Sequence, residues 1–151
     1  MLREQIKTEL VAAMKAKDET KVSTLRMIGA TLKDKDIAAR PSGKTDGISD
    51  DEILSMFQTM IKQRKESIEL YEKGGRTDLA DKEKKEIEII SAFLPAQMDD
   101  EAVKTAIETE IQSVGATSMK DMGKVMGALR AKYAGQMDFG KASAVIKSLL
   151  G

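Results

Sequence analysis

The chain has no cysteine and no histidine among its 151 residues. The absence of cysteine excludes disulfides, thiolate metal sites and cysteine nucleophiles, and it fits a reducing compartment. Without histidine there is no imidazole base and no His/Cys zinc site, so only carboxylates, lysines and hydroxyl groups remain for chemistry. We therefore expect no metal centre and no cofactor. Independent catalysis becomes less favoured, and an independent ligase or amidase is left open as a third alternative.

Long hydrophobic runs are also missing. No stretch approaches the roughly 18 consecutive apolar residues of a transmembrane helix, and the opening MLREQIKTEL is charged from its third residue. We expect no membrane partner and a cytoplasmic location. Basic and acidic residues both number 25, so the chain as a whole is not a basic nucleic-acid binder.

Two prolines, three phenylalanines and two tyrosines stand among abundant Ala, Lys, Glu, Met and Leu, a composition typical of helices. Apolar residues recur at three- and four-residue spacings, which predicts helices throughout and no β-strand. Pro95 interrupts this pattern. We predict an all-α fold, with an N-terminal bundle of about four helices in residues 1–95 and a C-terminal three-helix domain in residues 96–151.

The third and fourth predicted helices meet at Gly74-Gly75, which indicates an antiparallel hairpin. In such a hairpin, residues whose numbers sum to about 150 lie level with each other. Arg64 then faces Glu86 on an otherwise apolar stripe, with Glu83 as the neighbouring alternative. We predict an interhelical ion pair here, although both side chains could instead extend into solvent.

Two polar segments precede predicted helices. ARPSGKTDGIS (39–49) reads as an exposed, mobile loop, and Ser49 with Glu52 forms a capping box at its end. Ser118 and Asp121 have the spacing of a second, weaker box before the sixth helix.

GQMDFGKA (135–142) has the glycine and lysine spacing of a phosphate-binding loop, with Gly135, Gly140 and Lys141 in register. Position 142 is alanine, where that loop needs a hydroxyl to ligate Mg²⁺, and no strand precedes it. We therefore interpret the segment as a connection between helices, with Gly135 ending the first of them.

Charge is unevenly distributed near the end of the chain. Residues 96–115 contain one basic and five acidic residues, whereas residues 116–151 contain six basic and two acidic ones. Positive charge without interleaved aromatic residues suits contacts to phosphates better than stacking on bases. The alternative is an ordinary solvated helix surface. The six basic residues are Lys120, Lys124, Arg130, Lys132, Lys141 and Lys147.

MGKVMG (122–127) places Gly123 and Gly127 four residues apart on one helical face. Each glycine in a helix interior costs about 1 kcal/mol relative to alanine. Close approach of another backbone would compensate, either a helix of the same bundle or a partner or RNA backbone. The sequence leaves both explanations open.

Two segments carry a resemblance to a known family. KQRKESIELYEKGGRTDLADKEKKEIEIISAFLPAQM (62–98) and MGKVMGALRAKYAGQMDFGKA (122–142) closely resemble the YqeY-like proteins of the GatB/YqeY family. The resemblance extends over essentially the whole chain. It implies an all-α protein whose C-terminal domain is similar to the tail of the B subunit of glutamine-dependent aminoacyl-tRNA amidotransferases. That tail contacts tRNA, while carbon–nitrogen ligase activity with glutamine as amido donor resides in other domains.

The resemblance assigns Gly123, Lys124 and Gly127 to the tRNA-facing segment. Gln136 and Asp138-Phe139 stand where family members often have an Arg and an Asp-Gly, so position 136 supplies no phosphate contact. Charge alone adds four further candidates for RNA binding. These are Lys120, Arg130, Lys132 and Lys141.

These observations lead us to expect a non-catalytic accessory protein that binds tRNA or associates with a tRNA amidotransferase. The N-terminal bundle would then serve as a scaffold or bind a protein partner. The alternative is a protein–protein adaptor that shares the fold without binding RNA, since fold does not establish function.

Overall fold

The computed structural model describes residues 2–151. Within them lie seven α-helices and no β-strand, so the predicted all-α fold is confirmed. None of these helices is long and apolar enough to cross a membrane. The helices are α1 (Leu2–Lys15), α2 (Glu19–Ala39), α3 (Asp50–Lys73), α4 (Thr77–Ser91), α5 (Asp100–Val114), α6 (Met122–Tyr133) and α7 (Phe139–Leu150).

The chain divides into two units between Leu94 and Pro95. The N-terminal unit contains α1 to α4, and the C-terminal unit contains α5 to α7. Because proline disfavours the helical conformation in the residue before it, the helical path of α4 cannot continue through this point.

In the N-terminal unit, α3 packs along α4 and α1 packs along α2. The rings of Phe57 on α3 and Phe93, two residues after α4, stack with centroids 5.3 Å apart, so these residues lie level with each other. Gly75 has a left-handed φ of 73° at the hairpin turn. The fully buried side chains of this core include Leu25, Ile28, Ile53, Phe57 and Ile90.

The segment before α3 is anchored more firmly than its polar sequence suggests. Asp36 accepts hydrogen bonds from Arg3 Nη2 at 2.6 Å and from the Ile48 backbone N–H at 2.9 Å. Arg3 also donates to the Ile48 carbonyl at 2.8 Å. Ile48 is 7% exposed, so this part of the predicted exposed loop is buried. Ser49 and Glu52 form the predicted capping box.

The C-terminal unit has a smaller core, in which Ile107, Val125, Leu129, Ala142 and Ile146 are fully buried. The second predicted capping box, Ser118 with Asp121, is wrong in its first half, the Ser118 cap. A short 3-10 turn, Met119–Asp121, precedes α6, and the Ser118 side chain makes no capping hydrogen bond. The Asp121 carboxylate instead accepts from the Thr117 N–H at 3.0 Å. The helix therefore begins one turn later than a box at Ser118 requires.

Candidate nucleic-acid interface

Helix α6 has one buried face and one open face. Val125 and Leu129 are fully buried, while Gly123, Lys124 and Gly127 are exposed. This division follows from the sequence, because apolar residues at three- and four-residue spacings turn toward the core of the unit. We call the exposed side, made by Gly123, Lys124 and Gly127, the open face of α6.

The two glycines of the open face have no close neighbour in the described chain. A Cβ atom placed on either Gly123 or Gly127 would meet nothing within 4 Å. Packing against another helix of the same unit is therefore not why glycine occupies these positions. Each glycine lowers the stability of the helix by about 1 kcal/mol relative to alanine, and no contact within the unit compensates for this loss.

Lys120 lies one turn before Lys124, and both side chains are exposed. Neither lysine forms an ion pair with any residue from 2 to 151. Asp121 lies between them, and its pKa is held below its ordinary value by the Thr117 N–H and, to a smaller extent, by the charge of Lys124. Both lysines therefore remain exposed beside the glycines.

Arg130 lies in the last turn of α6, and its guanidinium carbon is 5.8 Å from the centre of the Phe139 ring. A guanidinium over an aromatic face is held by a cation–π attraction while its N–H groups stay available. Arg130 is exposed. Its position is therefore defined by Phe139, the first residue of α7.

Lys141 lies in the first turn of α7. The Asp138 carboxylate caps this helix by accepting from the backbone N–H groups of Gly140 at 2.8 Å and Lys141 at 3.3 Å. These are the amides that a phosphate-binding loop would offer to its ligand, and here a carboxylate occupies them. GQMDFGKA thus joins two helices, and Gly135 follows α6 with a left-handed φ of 75°.

Lys132 differs from the other candidate cations. Its Nζ donates to Glu110 Oε1 at 2.6 Å, and the Glu110 side chain is only 3% exposed. This hydrogen bond raises the pKa of Lys132. A buried carboxylate requires a partner, so Lys132 neutralises Glu110 and is less available to an external anion than Lys120 or Lys124.

The ion pair predicted in the α3–α4 hairpin lies in the N-terminal unit. Arg64 Nε is 2.9 Å from Glu86 Oε2 and 3.7 Å from Glu83 Oε2. Arg64 also donates to the Met60 carbonyl at 3.0 Å. Burial, and then the neighbouring Glu86, raise the pKa of Glu83. Arg64 Nη2 also lies 2.7 Å from Met27 Sδ on α2, so this cluster joins three helices and offers no free cation to a ligand.

Sequence reasoning did not identify the Arg3–Asp36 pair or the Glu110–Lys132 pair. The partners are 33 and 22 residues apart, and no local spacing connects them. The structure shows that Gly47 accommodates the first pair: its φ is 98°, and a Cβ there would clash with the Arg3 guanidinium. A glycine at this position does not reveal the pair in the sequence.

Sites for other chemistry are limited in the described part of the chain. Residues 2–151 contain no cluster of three acidic side chains placed to hold a metal ion. A shallow groove of about 450 Å³ runs along α5 beside Tyr133. Asp99 and Glu101 make this groove acidic, and Asp99 is engaged in capping α5 through the Ala102 N–H at 2.7 Å. It does not suit a phosphate ligand.

Comparison with known proteins places this chain in a family. The model of the family described as Yqey-like protein matches residues 3–150. Several yeast proteins named "Altered inheritance of mitochondria protein 41, mitochondrial" are similar to this chain. The Saccharomyces cerevisiae protein is 30% identical over 148 residues, which cover 97% of this chain and 66% of that protein.

Two further relatives with the same name cover less of the chain. The Vanderwaltozyma polyspora protein is 33% identical over 124 residues, 78% of this chain and 64% of that protein. The Eremothecium gossypii protein is 36% identical over 91 residues, 60% of this chain and 48% of that protein. The chain thus spans between about half and two thirds of the length of these curated relatives.

Proposed function

The chain belongs to the Yqey-like protein family, and we propose that it is a non-catalytic accessory protein whose C-terminal unit binds the sugar–phosphate backbone of tRNA. The open face of α6 is the observation that carries this proposal. It combines two glycines that no described residue approaches with Lys124, which is exposed and lacks an ion-pair partner, and Lys120 lies one turn before it. The resemblance of MGKVMG (122–127) to the tRNA-contacting tail of an amidotransferase subunit points to the same segment.

A glycine on a helix surface lets an external backbone approach the helix axis more closely than any other residue does. A phosphate group placed over Gly123 or Gly127 would be within reach of Lys124 on the same face and of Lys120 one turn earlier. Arg130 and Lys141 extend the positive surface at the other end of α6. Lys132 contributes less, since it is engaged by Glu110.

The chemistry of this surface favours folded RNA over single strands. Single-stranded binders stack bases on exposed aromatic rings, and no aromatic residue lies among Lys120, Gly123, Lys124 and Gly127. Phosphate contacts on a rigid helix suit the regular backbone of an RNA duplex. The acceptor or another helical arm of tRNA has that form.

Association with a tRNA amidotransferase follows as part of the same proposal. In that setting the partner enzyme supplies the carbon–nitrogen ligase chemistry, and this chain supplies RNA contact. The relatives named above are mitochondrial according to their names, whereas the cytoplasmic location expected for this chain stays a prediction.

A second candidate function, a protein–protein adaptor, is favoured by a specific feature of the N-terminal unit. Val11 and Met14 on α1 are each 50% exposed, and Leu70 on α3 is 69% exposed. Val11 and Met14 lie three residues apart on one face of α1, and contiguous exposed apolar side chains are frequent at protein interfaces, whereas a single one such as Leu70 is common on any surface. An adaptor would bind protein through these positions and would not respond to RNA.

The test is a titration of the full chain with tRNA at several salt concentrations. We expect the logarithm of the binding constant to fall linearly with the logarithm of salt concentration, with a slope of roughly −0.9 for each phosphate contact. A Lys120/Lys124/Lys141→Ala variant should bind at least about tenfold more weakly and show a shallower slope.

The matched control removes three lysines from the N-terminal unit instead. Lys33, Lys65 and Lys85 are exposed and form no ion pair with a described residue, so Lys33/Lys65/Lys85→Ala changes the net charge equally. It should keep most of the affinity. Equal losses in the two variants would show attraction by net charge alone, and absence of tRNA binding by the unmodified protein would exclude the proposed function.

A further inference from the structure

Gln97 connects the segment after Pro95 to the loop between α6 and α7. Its side-chain Nε2 donates to the carbonyl of Gly135 at 2.6 Å and to the carbonyl of Pro95 at 2.9 Å. The next residue repeats the connection through its backbone, because the Met98 N–H donates to the Gln136 carbonyl at 2.9 Å. Three hydrogen bonds thus organise residues 95–98 around the loop.

The loop that Gln97 holds is itself fixed from the inside. Gly135 is buried with a left-handed backbone, and Met137 is 2% exposed in the core of the unit. Asp138 then caps α7. The inner side of the loop, residues 135–138, is thus held by the core and by the cap of α7. Its outer side is held by the hydrogen bonds from Gln97 and Met98.

Two candidate RNA-binding cations are positioned by this loop. Arg130 precedes it in the last turn of α6, and its guanidinium lies over Phe139, which follows the loop. Lys141 lies in the turn of α7 whose amides Asp138 caps. A movement of the loop would change the position of Lys141 and of the Phe139 ring relative to α6.

We propose that Gln97 is a positioning residue for RNA binding: by donating to the Gly135 carbonyl it sets the spacing of Arg130 and Lys141 for phosphate contact. This inference rests on the proposed function. Its physical basis is preorganisation, because cations already fixed at the right spacing lose less conformational freedom when the ligand binds. Gln97 itself need not touch the RNA.

Gln97 is exposed, so replacing it opens no cavity in the core. Gln97→Ala removes both donated hydrogen bonds. Gln97→Glu keeps the size of the side chain but replaces the amide donor with a carboxylate that cannot donate to a carbonyl. The matched control is Gln112→Ala, which truncates an exposed glutamine on α5 that makes no side-chain hydrogen bond to the described residues.

The first readout needs no RNA. Hydrogen exchange of the Met98 amide, measured by NMR in the full chain, should be faster in Gln97→Ala and Gln97→Glu than in Gln112→Ala. Thermal unfolding by circular dichroism should change little in all three. Unchanged Met98 exchange in both Gln97 variants would show that the side chain does not hold the loop, which would overturn the inference whatever the protein binds.

The second readout is tRNA affinity as a function of salt. Gln97→Ala should weaken binding about three- to tenfold and make the salt slope shallower by up to about one phosphate contact. In an Arg130/Lys141→Ala background, the same substitution should change affinity less than about twofold, since the cations it positions are absent.

The outcomes separate the two proposals. Equal effects of Gln97→Ala with and without Arg130 and Lys141, or no effect in the unmodified chain, would overturn the positioning role while RNA binding stands. Failure of the unmodified protein to bind tRNA would overturn both the proposed function and the role of Gln97 in it.

Discussion

Arg64 in the N-terminal unit is 12% exposed and lies against two carboxylates, whereas Lys120, Lys124 and Lys141 in the C-terminal unit are exposed and pair with no described residue. A long cationic side chain therefore joins helices in the N-terminal unit, whereas similar side chains face solvent in the C-terminal unit. The difference shows that net charge is a poor guide to function until each cation's partner is known.

Lys132 shows that the distinction also applies within the C-terminal unit. It belongs to the basic part of the sequence, yet it neutralises the buried Glu110. The charge available to an external ligand is therefore smaller than the six basic residues of 116–151 suggest. Lys120 and Lys124 remain at the start of α6, Arg130 and Lys141 on either side of the α6–α7 loop, and Lys147 in the last turn of α7.

The largest expected effect comes from breaking the inward-facing charge cluster. Arg64→Met removes the cation between Glu83 and Glu86, and we expect it to lower the free energy of unfolding by about 2–4 kcal/mol at neutral pH. Urea unfolding followed by circular dichroism measures this change. tRNA affinity should stay within about twofold, because α6 and α7 are unaffected.

The control for this substitution is Lys65→Met, one residue further along α3, where the side chain is exposed and has no ion-pair partner in the described chain. It should change stability by less than about 0.5 kcal/mol. If Arg64→Met and Lys65→Met were equally stable, the Arg64 cluster would contribute nothing beyond an exposed charge.

The next effect concerns the Arg3–Asp36 pair and depends on pH. Hydrogen bonding from Arg3 lowers the pKa of Asp36 below its ordinary value of 3.8. A carboxyl group with a lowered pKa stabilises the folded state above its unfolded pKa and loses that contribution as the pH falls through its folded value. Asp36→Asn should therefore cost about 1.5–3 kcal/mol at neutral pH and progressively less below about pH 4.

Thermal unfolding of wild type and Asp36→Asn at pH 7, 4 and 2.5 measures this prediction. The gap in Tm between the two proteins should narrow as the pH falls. A gap of the same size at all three pH values would mean that ionised Asp36 does not stabilise the fold. Asp34→Asn is the matched control, since Asp34 is exposed on the same helix without an ion pair in residues 2–151.

A smaller effect distinguishes Lys132 from its basic neighbours. Lys132→Met should lower the Tm by a few degrees, because Glu110 is left buried without its partner. Glu110→Gln combined with Lys132→Met should recover part of the loss. Lys124→Met should not lower the Tm but should weaken tRNA binding. The opposite assignment, with Lys132 controlling affinity and Lys124 controlling stability, would contradict the structure.

Much of the fold was predictable because it depends on local signals. Helix periodicity, the Ser49 cap, the Gly74-Gly75 turn and Pro95 each act within a few residues. The hairpin rule, in which level residues sum to about 150, also places Phe57 opposite Phe93, and these rings stack in the structure. A tight turn between two helices that pack along each other allows this arithmetic to reach 36 residues along the chain.

The remainder was not predictable, because it depends on contacts without a turn to set their register. Nothing local connects Glu110 with Lys132, or Arg3 with Asp36. Exposure of Gly123 and Gly127 could not be read from the sequence either, since a glycine that faces a neighbouring helix and one that faces solvent look identical there. The structure excludes packing within the described chain as the reason for these glycines, and contact with a partner or RNA backbone stays a proposal.

The most direct measurement is the tRNA affinity of Gly123→Ala/Gly127→Ala, taken together with its stability. Both methyl groups enter open space, so the double variant should be about 2 kcal/mol more stable than the unmodified protein, about 1 kcal/mol for each glycine replaced. Gly29→Ala, at another helical glycine with no atom within 4 Å of an added Cβ, is the control for stabilisation. We predict that the double variant binds tRNA several-fold more weakly although it is more stable, while Gly29→Ala binds unchanged. Undiminished binding by the double variant would contradict the assignment of the open face of α6 as the surface that an RNA backbone approaches.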